Sequence, residues 1–281
     1  MADAAGIVLA GGRSSRMGTP KAALEWHGST LLRRVTGIVG RAVDGPVVVV
    51  RAPAQDLPKL PEPIRVVEDA REGRGPLQGI AAGLAYMRER ADVCFVSSVD
   101  VPLLHPLFVR RVVEALDADT DVVLPEAQGH RHPLAAAYRT ALVDEVEALI
   151  AADRMKPAFL FERCRVKRLG DADLLRDRGL ATADPELASL LNLNEPADYA
   201  SARARPAPAV VIERFGVLRP PGAHAPLPAR AATLVQAANA ADLALDGHVV
   251  AALNGDRITA DPETPLAEGD RVLFMSADSG G

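Results

Sequence analysis

Apolar runs typical of buried strands alternate with helically spaced apolar positions along the first part of the chain. Residues 6–10 form a short apolar run that ends at two glycines. Residues 31–43 carry apolar side chains at helical spacing, behind the candidate N-caps Ser29 and Thr30. The alternation continues with predicted strands at 47–50, 64–67, 93–96 and 122–124 and predicted helices at 77–87 and 106–116. Repeated strand–helix units predict an α/β fold with a mostly parallel sheet and helices on both of its faces.

The pattern changes near residue 205. Residues 204–209 are rich in proline and alanine and lack apolar periodicity, which favours an extended linker. The first domain then comprises residues 1–203, and residues 210–281 form a small α+β domain. In this second domain the sequence predicts strands at 210–218, 249–253 and 271–275, a helix at 231–243 and a tight turn at Asn254-Gly255.

The composition limits the classes of protein to which the chain can belong. Of the 281 residues, 48% are hydrophobic and 25% are charged, which is typical of globular proteins. A net charge of −5 and an aromatic content of 4% argue against a broad nucleic-acid-binding face. No apolar run approaches the roughly 18 residues of a membrane span, and the N-terminus lacks the basic and apolar segments of a signal peptide. Cys94 and Cys164, each in a predicted strand, show no metal or redox spacing, so we expect inert thiols in a cytoplasmic protein.

The loop after the first strand has the composition of a phosphate-binding site. Residues 9–21 read LAGGRSSRMGTPK, with three glycines, three hydroxyl side chains and the cations Arg16 and Lys21 among them. Glycine lets backbone N–H groups approach an anion closely, and the two cations suit a triphosphate. The loop is neither a Walker A motif nor a dinucleotide GxGxxG motif. A solvated basic loop is the alternative, but the position directly after a buried strand favours phosphate binding.

Acidic residues follow two other predicted strands. Asp100 comes after the strand at 93–96, and Asp69 after the strand at 64–67, followed by the glycine-rich stretch 73–79. In open α/β sheets, ligands bind beyond the carboxyl ends of the strands. An aspartate at such a place caps a helix or binds Mg²⁺ together with phosphate oxygens, and the neighbouring phosphate loop favours the metal. The stretch 73–79 suits close approach to a ligand, with ordinary loop structure as the alternative.

The ordered set of motifs resembles the MobA-type molybdenum cofactor guanylyltransferases over about residues 5–202. The matching segments are LAGG-x3-RMG-x2-K, ED-x5-GPLQG, VDVPLL, the His-Pro segment at 129–134 and the Asn-x-Asn-x-Pro segment at 192–196. The resemblance implies a Rossmann-like nucleotidyltransferase sheet, GTP and molybdopterin as substrates, and Mg²⁺ as cofactor. The first motif alone is shared with sugar-phosphate and cytidylyl transferases, whereas the double glycine after Leu-Ala resembles the guanine-using members.

The resemblance also implies roles for individual residues. The nucleotide would be bound by Leu9, Ala10, Gly11, Gly12, Lys21, Asp69 and Asp100, with Asp100 acting through Mg²⁺. Arg16, added from its charge and position, would act in catalysis with Lys21 and Asp100. Asn192 and Asn194 would lie on the pterin side. The sequence departs from some relatives after the second strand, where Arg51-Ala52-Pro53 replaces a segment with an asparagine that contacts the nucleotide.

The chemistry implied is an in-line attack of a pterin phosphate on the α-phosphorus of GTP, with pyrophosphate as the leaving group. Positioning and electrostatic stabilisation carry most of such a reaction, so no protein nucleophile is needed. Asp100 would place Mg²⁺ at the α-phosphate, while Lys21 and Arg16 offset charge on the pyrophosphate. For His130 and His132 we therefore favour a structural or substrate-contact role over acid–base catalysis.

The second domain ends in Gly280-Gly281 after a predicted strand. A frayed terminus is one interpretation; the other is a thin tail that threads a narrow channel. Segments 215–219, 250–255 and 265–272 resemble the ubiquitin-like β-grasp sulfur carriers MoaD and ThiS. The resemblance implies that an adenylating enzyme activates the Gly281 carboxylate, which becomes a thiocarboxylate. Gly280 would be the thin neck, and the tail would give sulfur to a pterin inside the large subunit of molybdopterin synthase.

The two resemblances together predict a bifunctional protein of molybdenum cofactor biosynthesis. One alternative is a different nucleotidyltransferase, of the cytidylyl or sugar-phosphate type. Another is a non-catalytic nucleotide-binding scaffold for a sulfur carrier of the thiamine type. Retention of Gly11, Lys21, Asp69 and Asp100 disfavours the scaffold.

Overall fold

The computed structural model describes residues 4–11, 18–69, 75–220 and 225–277. These residues form two compact units. The first contains the described residues up to Leu24 together with Thr30–Tyr199, and the second contains Glu25–Ser29 and the described residues from Ala200 onward. Within the described ranges, no helix combines the length and the apolar character that crossing a membrane requires.

Strands and helices alternate in the first unit and give way to a strand-rich second unit. The strands are β1 (Ala4–Leu9), β2 (Glu25–Trp26), β3 (Ser29–Thr30), β4 (Val47–Arg51), β5 (Arg65–Glu68), β6 (Val93–Ser98), β7 (Val122–Ala127), β8 (His130–Arg131), β9 (Ala135–Arg139), β10 (Val166–Leu169), β11 (Ala209–Arg214), β12 (Leu227–Arg230), β13 (Val249–Leu253), β14 (Arg257–Thr259) and β15 (Arg271–Ser276). The helices are α1 (Leu31–Ala42), α2 (Pro76–Met87), α3 (Pro106–Glu114), α4 (Val143–Ala151), α5 (Pro157–Phe161), α6 (Asp171–Leu174), α7 (Arg178–Ala183), α8 (Pro196–Arg203) and α9 (Leu234–Ala240).

The first unit is built on one mixed, mostly parallel sheet with the strand order β10-β7-β9-β6-β1-β4-β5, and β8 pairs with β7 at its side. Strand β1 is parallel to both of its neighbours, β4 and β6, and β4 is parallel to β5. The carboxyl ends of these four strands therefore meet at one edge. This edge is where an open α/β sheet binds its ligands.

Helices cover both faces of the sheet, as the sequence predicts. In β1, the large side chains of one face and the glycine of the other fit the helices packed against them. Ile7 and Leu9 pack in the core cluster that includes α2. Successive side chains of a strand point to opposite faces, so Gly6 turns to the face covered by α1, where an added Cβ would overlap Val39. Helix α1 begins at the N-cap Thr30, whose Oγ1 accepts a hydrogen bond from the Arg33 N–H at 3.2 Å.

The parallel pattern is interrupted by β9, which the sequence analysis did not predict. This strand lies between β6 and β7 and is antiparallel to both. Its sequence, Ala-Ala-Ala-Tyr-Arg, lacks the β-branched run that marks the neighbouring strands. The Tyr138 hydroxyl, at the end of a fully buried ring, donates to the Pro133 carbonyl at 2.7 Å and so has a partner inside the core.

The second unit contains a five-stranded sheet with the order β12-β11-β15-β13-β14. The central pair β11 and β15 is parallel, and the other three pairings are antiparallel. The core of this unit joins α9 to the sheet, with Leu234 and Ala237 beside Ile212, Val272 and Phe274. Strands β13 and β14 are joined by the predicted tight turn, in which Asn254 has φ 52° and Gly255 has φ 87°.

Three sequence-based predictions need correction. The strand predicted at 210–218 ends at Arg214, because Gly216 has φ 59° and starts a 3-10 turn at Gly216–Leu218. The helix predicted at 231–243 is shorter, since Thr233 forms its N-cap and helical backbone covers only Leu234–Ala240. Cys164 lies before β10 and not in a strand, whereas Cys94 lies in β6 as predicted.

The environments of the two thiols agree with inert cysteines. Burial raises the pKa of Cys94 to about 12. Burial, followed by the nearby carboxylates of Asp121 and Glu145, raises the pKa of Cys164 to about 11. Both side chains are therefore protonated at neutral pH, and the nucleophilic thiolate form is rare.

Residues 25–29 belong to the second unit although they stand near the start of the chain. The Arg203 guanidinium contacts the Glu25 carboxylate through Nε at 2.8 Å and Nη2 at 2.5 Å. The Ser29 hydroxyl donates to Glu263 Oε2 at 2.8 Å, and Gln236 Nε2 donates to the His27 carbonyl at 2.7 Å. The second unit is thus assembled from two separate stretches of sequence.

Candidate active site

A lysine–aspartate ion pair lies at the carboxyl edge of the first sheet. Lys21 begins the 3-10 turn Lys21–Ala23, and its Nζ lies 2.7 Å from Oδ2 of Asp100, two residues after β6. The other oxygen, Oδ1, accepts a hydrogen bond from the Ser98 hydroxyl at 2.6 Å. The two charged side chains are only 20% and 17% exposed. A cation and an anion are therefore fixed together at the place where the sequence analysis expects phosphate and metal.

The loop that carries Asp100 is fastened from two sides. Arg34 of α1 is buried, and its Nε donates to the Pro102 carbonyl at 2.9 Å. The buried Leu193 donates its N–H to the Asp100 carbonyl at 2.9 Å. Because Leu193 stands between Asn192 and Asn194, this bond places both asparagines beside the aspartate in the fold. Both are exposed at the surface.

The end of β1 lies between the ends of its neighbours. The Val99 N–H donates to the Leu9 carbonyl at 3.1 Å, and the Ala10 N–H donates to the Val50 carbonyl at 2.8 Å. At Gly11 a Cβ atom would lie 3.2 Å from the Ala52 nitrogen, so glycine allows a close approach of two backbones here. The predicted site residues Gly12 and Arg16 lie outside the described residues.

Asp69 lies at the same edge but toward its other end. Its N–H donates to the Arg51 carbonyl at 2.8 Å, which continues the pairing of β4 with β5. Strands β1 and β4 stand between β5 and β6, so at about 4.8 Å per strand Asp69 and Asp100 are roughly 14 Å apart. The two carboxylates cannot ligate one ion together. They lie at the two ends of a row of four strand ends, whose length suits an extended ligand.

The donor set around Asp100 fits a metal ion that arrives with a ligand. Among residues 4–11, 18–69, 75–220 and 225–277, no group of three or more His, Cys, Asp or Glu side chains is arranged to hold a metal. Mg²⁺ is commonly held by one or two carboxylates together with phosphate oxygens and waters. Asp100 can supply one carboxylate of such a set, and a polyphosphate would supply the rest.

The two histidines of the His-Pro segment differ in environment. His130 is exposed in β8, whereas the ring of His132 is half-buried and its Nε2 lies 3.1 Å from the Ala127 carbonyl. Burial lowers the pKa of His132, so its neutral form is favoured at neutral pH. The backbone N–H of His132 also donates to the Pro125 carbonyl at 2.9 Å. These contacts are those of a structural residue in the turn after β7.

Sequence reasoning missed two polar residues at this edge. Ser98 bonds Asp100, and Gln55 bonds the backbone at the ends of β1 and β4. Gln78 of α2 lies in the stretch 73–79 that the sequence analysis singled out; it is 6% exposed, and its Oε1 has no hydrogen-bond partner among the described residues. Only Ser98 had a usable signal, because it precedes Asp100 at strand spacing. The contacts of Gln55 depend on tertiary structure.

A mixed α/β sheet with a cation–carboxylate pair at the carboxyl ends of its central strands defines a protein of the nucleotidyltransferase type. Residues 6–166, more than half of the chain, match the family described as MobA-like NTP transferase domain. The chain belongs to this family.

Individual relatives agree with the family match. Over 173 residues, the chain is 42% identical to the probable molybdenum cofactor guanylyltransferase of Mycobacterium ulcerans and 40% identical to that of Mycobacterium tuberculosis. Each match covers 60% of this chain and 84% of the relative. The molybdopterin-guanine dinucleotide biosynthesis protein A of Archaeoglobus fulgidus superposes with a TM-score of 0.54 at 24% identity. That match covers 71% of this chain and 96% of the other, and it supports the fold.

Proposed function

We propose that the first unit transfers GMP from GTP to molybdopterin and releases pyrophosphate. The observation that carries the proposal is the Lys21–Asp100 pair at the carboxyl edge of the sheet. Phosphoryl-group transfer needs positive charge and a metal-binding carboxylate at one place, and this pair supplies both. Relatives at about 40% identity carry the name molybdenum cofactor guanylyltransferase, which favours GTP over other nucleotides.

The roles of the residues follow from their contacts. Lys21 exchanges Asp100 for a phosphate oxygen when the nucleotide binds, because both are anions within reach of the same ammonium group. Asp100, still bonded to Ser98, would hold Mg²⁺, which when bound would supply positive charge at the α-phosphate. Arg16, outside the described residues, adds charge on the pyrophosphate side.

The nucleotide would extend from Asp100 toward Asp69 across the ends of β1 and β4. The backbone of Leu9, Ala10, Gly11 and Gly12 would face its phosphates. Asn192 and Asn194, which adjoin Leu193 and its bond to Asp100, would face the second substrate. In this arrangement the protein aligns the attacking phosphate with the α-phosphorus and contributes no nucleophile of its own.

The direct test is transfer by the purified full chain, with molybdopterin as acceptor and pyrophosphate release as the readout. We expect activity with GTP and Mg²⁺, and little with CTP. Equal or better activity with CTP would favour a cytidylyl transferase. Absence of transfer with both nucleotides would favour the non-catalytic scaffold.

We further propose that the second unit is a sulfur carrier. The strand order of its sheet, with β11 and β15 parallel and helix α9 packed on it, resembles that of β-grasp domains, and this resemblance supports the proposal. Gly280 and Gly281 lie outside the described residues, a few positions beyond the end of β15.

The test is the intact mass of the full chain after incubation with an adenylating enzyme, ATP and a sulfur donor. Conversion of the Gly281 carboxylate to a thiocarboxylate adds about 16 mass units, because sulfur replaces oxygen. We expect this change in the wild type. A variant with one residue added after Gly281 should lack it, and full sulfur loading of that variant would exclude the proposed role.

A further inference from the structure

The side-chain amide of Gln55 lies between the ends of β1 and β4. Its Nε2 donates to the Ala10 carbonyl and its Oε1 accepts from the Ala52 N–H, both at 3.0 Å. The backbone of Gln55 is also held: its N–H donates to the Ala52 carbonyl at 3.1 Å, and Arg51 Nη1 donates to its carbonyl at 2.9 Å. Four hydrogen bonds therefore fix this one residue at the edge of the sheet.

The amide takes the place of a direct hydrogen bond in the parallel ladder. The Ala10 N–H donates to the Val50 carbonyl at 2.8 Å. In a regular parallel ladder the next bond would run from the Ala52 N–H to the Ala10 carbonyl. Instead, these two groups are joined through the amide of Gln55, which offers the same donor and acceptor as a peptide group. The ends of the two strands are thus joined through a side-chain amide and not by a direct backbone hydrogen bond.

This bridge lies at the strand ends where the nucleotide is proposed to bind. Ala10 and Gly11 are the residues expected to face the phosphates, and Gly11 approaches the Ala52 nitrogen closely. The bridge also satisfies the Ala10 carbonyl with a donor. A carbonyl whose lone pair is engaged repels a nearby anion less than an unengaged one, so the bond favours phosphate binding at this edge.

We propose that Gln55 is a positioning residue for the nucleotide: its amide sets the separation of the β1 and β4 ends and thereby the opening that receives GTP. Gln55 acts through the backbone of Ala10 and Ala52 and does not take part in the chemical step. The inference rests on the proposed guanylyltransferase function, because GTP is the ligand on which the effect is measured.

The test measures the Kd of Mg·GTP by calorimetry, and KM and kcat by pyrophosphate release, on the full chain. Gln55→Ala should raise Kd and KM about tenfold, as expected for loss of two ordinary hydrogen bonds, while kcat changes far less. Gln55→Glu keeps the acceptor for Ala52 but loses the donor to Ala10, so it should bind weakly at pH 7.5. Near pH 5 its carboxyl group becomes partly protonated and regains a donor, so its affinity relative to wild type should recover.

Gln236 offers a matched control in the second unit. Its Oε1 accepts from the Ala232 N–H at 2.8 Å and its Nε2 donates to the His27 carbonyl at 2.7 Å. Gln236→Ala therefore removes one accepted and one donated hydrogen bond to backbone, as Gln55→Ala does. We expect wild-type affinity for Mg·GTP in this variant. Thermal unfolding checks that each variant is folded, and Gln55→Met, which keeps the side-chain length, replaces Gln55→Ala if the latter unfolds.

The possible results distinguish the role of Gln55 from the guanylyltransferase function itself. Gln55 variants that bind Mg·GTP as the wild type does, at every pH, would overturn the positioning role. So would an equal loss of affinity in Gln236→Ala. Failure of the wild type itself to bind Mg·GTP would overturn the guanylyltransferase proposal, and the role of Gln55 with it, before any substitution is compared.

Discussion

Lys21 and Asp100, 79 positions apart in the chain, are joined by an ion pair of 2.7 Å. Each is held by its own local structure: Lys21 by a 3-10 turn, and Asp100 by Ser98 on its side chain and Leu193 on its backbone. The pair keeps both charges balanced. In the proposed function, an incoming polyphosphate with its metal ion would supply an anion for the lysine and a cation for the aspartate, so the exchange would create no unpaired charge.

Removal of the Asp100 carboxylate should abolish transfer. We expect Asp100→Ala and Asp100→Asn to lower kcat/KM for GTP by about 10²–10³-fold, the usual cost of losing one charged contact in such a site. Circular dichroism and thermal unfolding should show a folded protein. Asp144→Asn is the control, since Asp144 pairs with Arg88 on an exposed surface and should keep wild-type activity. Normal guanylyl transfer by Asp100→Ala would remove this residue from the mechanism.

Ser98 should matter through the orientation of Asp100. Ser98→Ala removes the 2.6 Å hydrogen bond to Oδ1, and we expect kcat/KM to fall about tenfold. Ser98→Thr keeps the hydroxyl and should restore most of the activity. The neighbouring Ser97, whose hydroxyl bonds the Ser98 carbonyl, gives the control Ser97→Ala. An equal loss in the Ser97 and Ser98 variants would indicate a general defect of β6 and not a role in the site.

His132 should make stability depend on pH in the neutral range. Burial lowers its folded-state pKa below the ordinary value of about 6.5, so the unfolded chain binds more protons between the two values. The contribution of His132 to the free energy of unfolding is complete above the ordinary pKa, and it is lost as the pH falls through the folded-state pKa. The urea midpoint of the wild type should therefore drop more between pH 7.5 and 5.5 than that of His132→Gln. An equal drop in the two proteins would contradict this role of His132.

Gly83 should be required for the packing of α2 on β1. An added Cβ would lie 2.5 Å from Cγ2 of the fully buried Ile7, so Gly83→Ala should lower the free energy of unfolding by about 1–3 kcal/mol despite the better helix propensity of alanine. Gly79 is one turn earlier, and its Cβ would lie 3.2 Å from Leu9 Cδ2. Gly79→Ala should therefore cost less. Urea unfolding of both variants measures the difference, and equal values would contradict the steric argument.

Strands β1, β4, β5, β6 and β7 and helices α1, α2 and α3 were predictable from sequence, because each of these strands is a β-branched or apolar run and each of these helices has apolar residues at helical spacing. The two-residue strands β2 and β3 were not predicted. Residues 130–203 were not predictable in the same way. Strand β9 is rich in alanine, and α5 to α7 are too short for a periodic signal. In the second unit, tertiary contacts and Gly216 shortened elements whose apolar pattern extends further.

The charged part of the site was predictable because Lys21 and Asp100 follow strands that end at the same edge. The supporting residues were not. Gln55 stands in a loop without periodicity, and its partners are 45 and 3 positions away in the chain, so only the folded backbone reveals the bridge. The charge of Arg34 suggests an exposed residue of an amphipathic helix. In the structure the side chain is buried against the Pro102 carbonyl.

The assignment of residues 25–29 to the second unit limits how this protein can be dissected. A fragment that starts at the proline- and alanine-rich stretch would contain β11 to β15 but would lack Arg203 and its partner Glu25, and also His27, the partner of Gln236. It would also lack the buried indole of Trp26. No single cut in the chain separates the two units completely. Expression of the fragment on either side of such a cut would leave one unit without part of its own sequence.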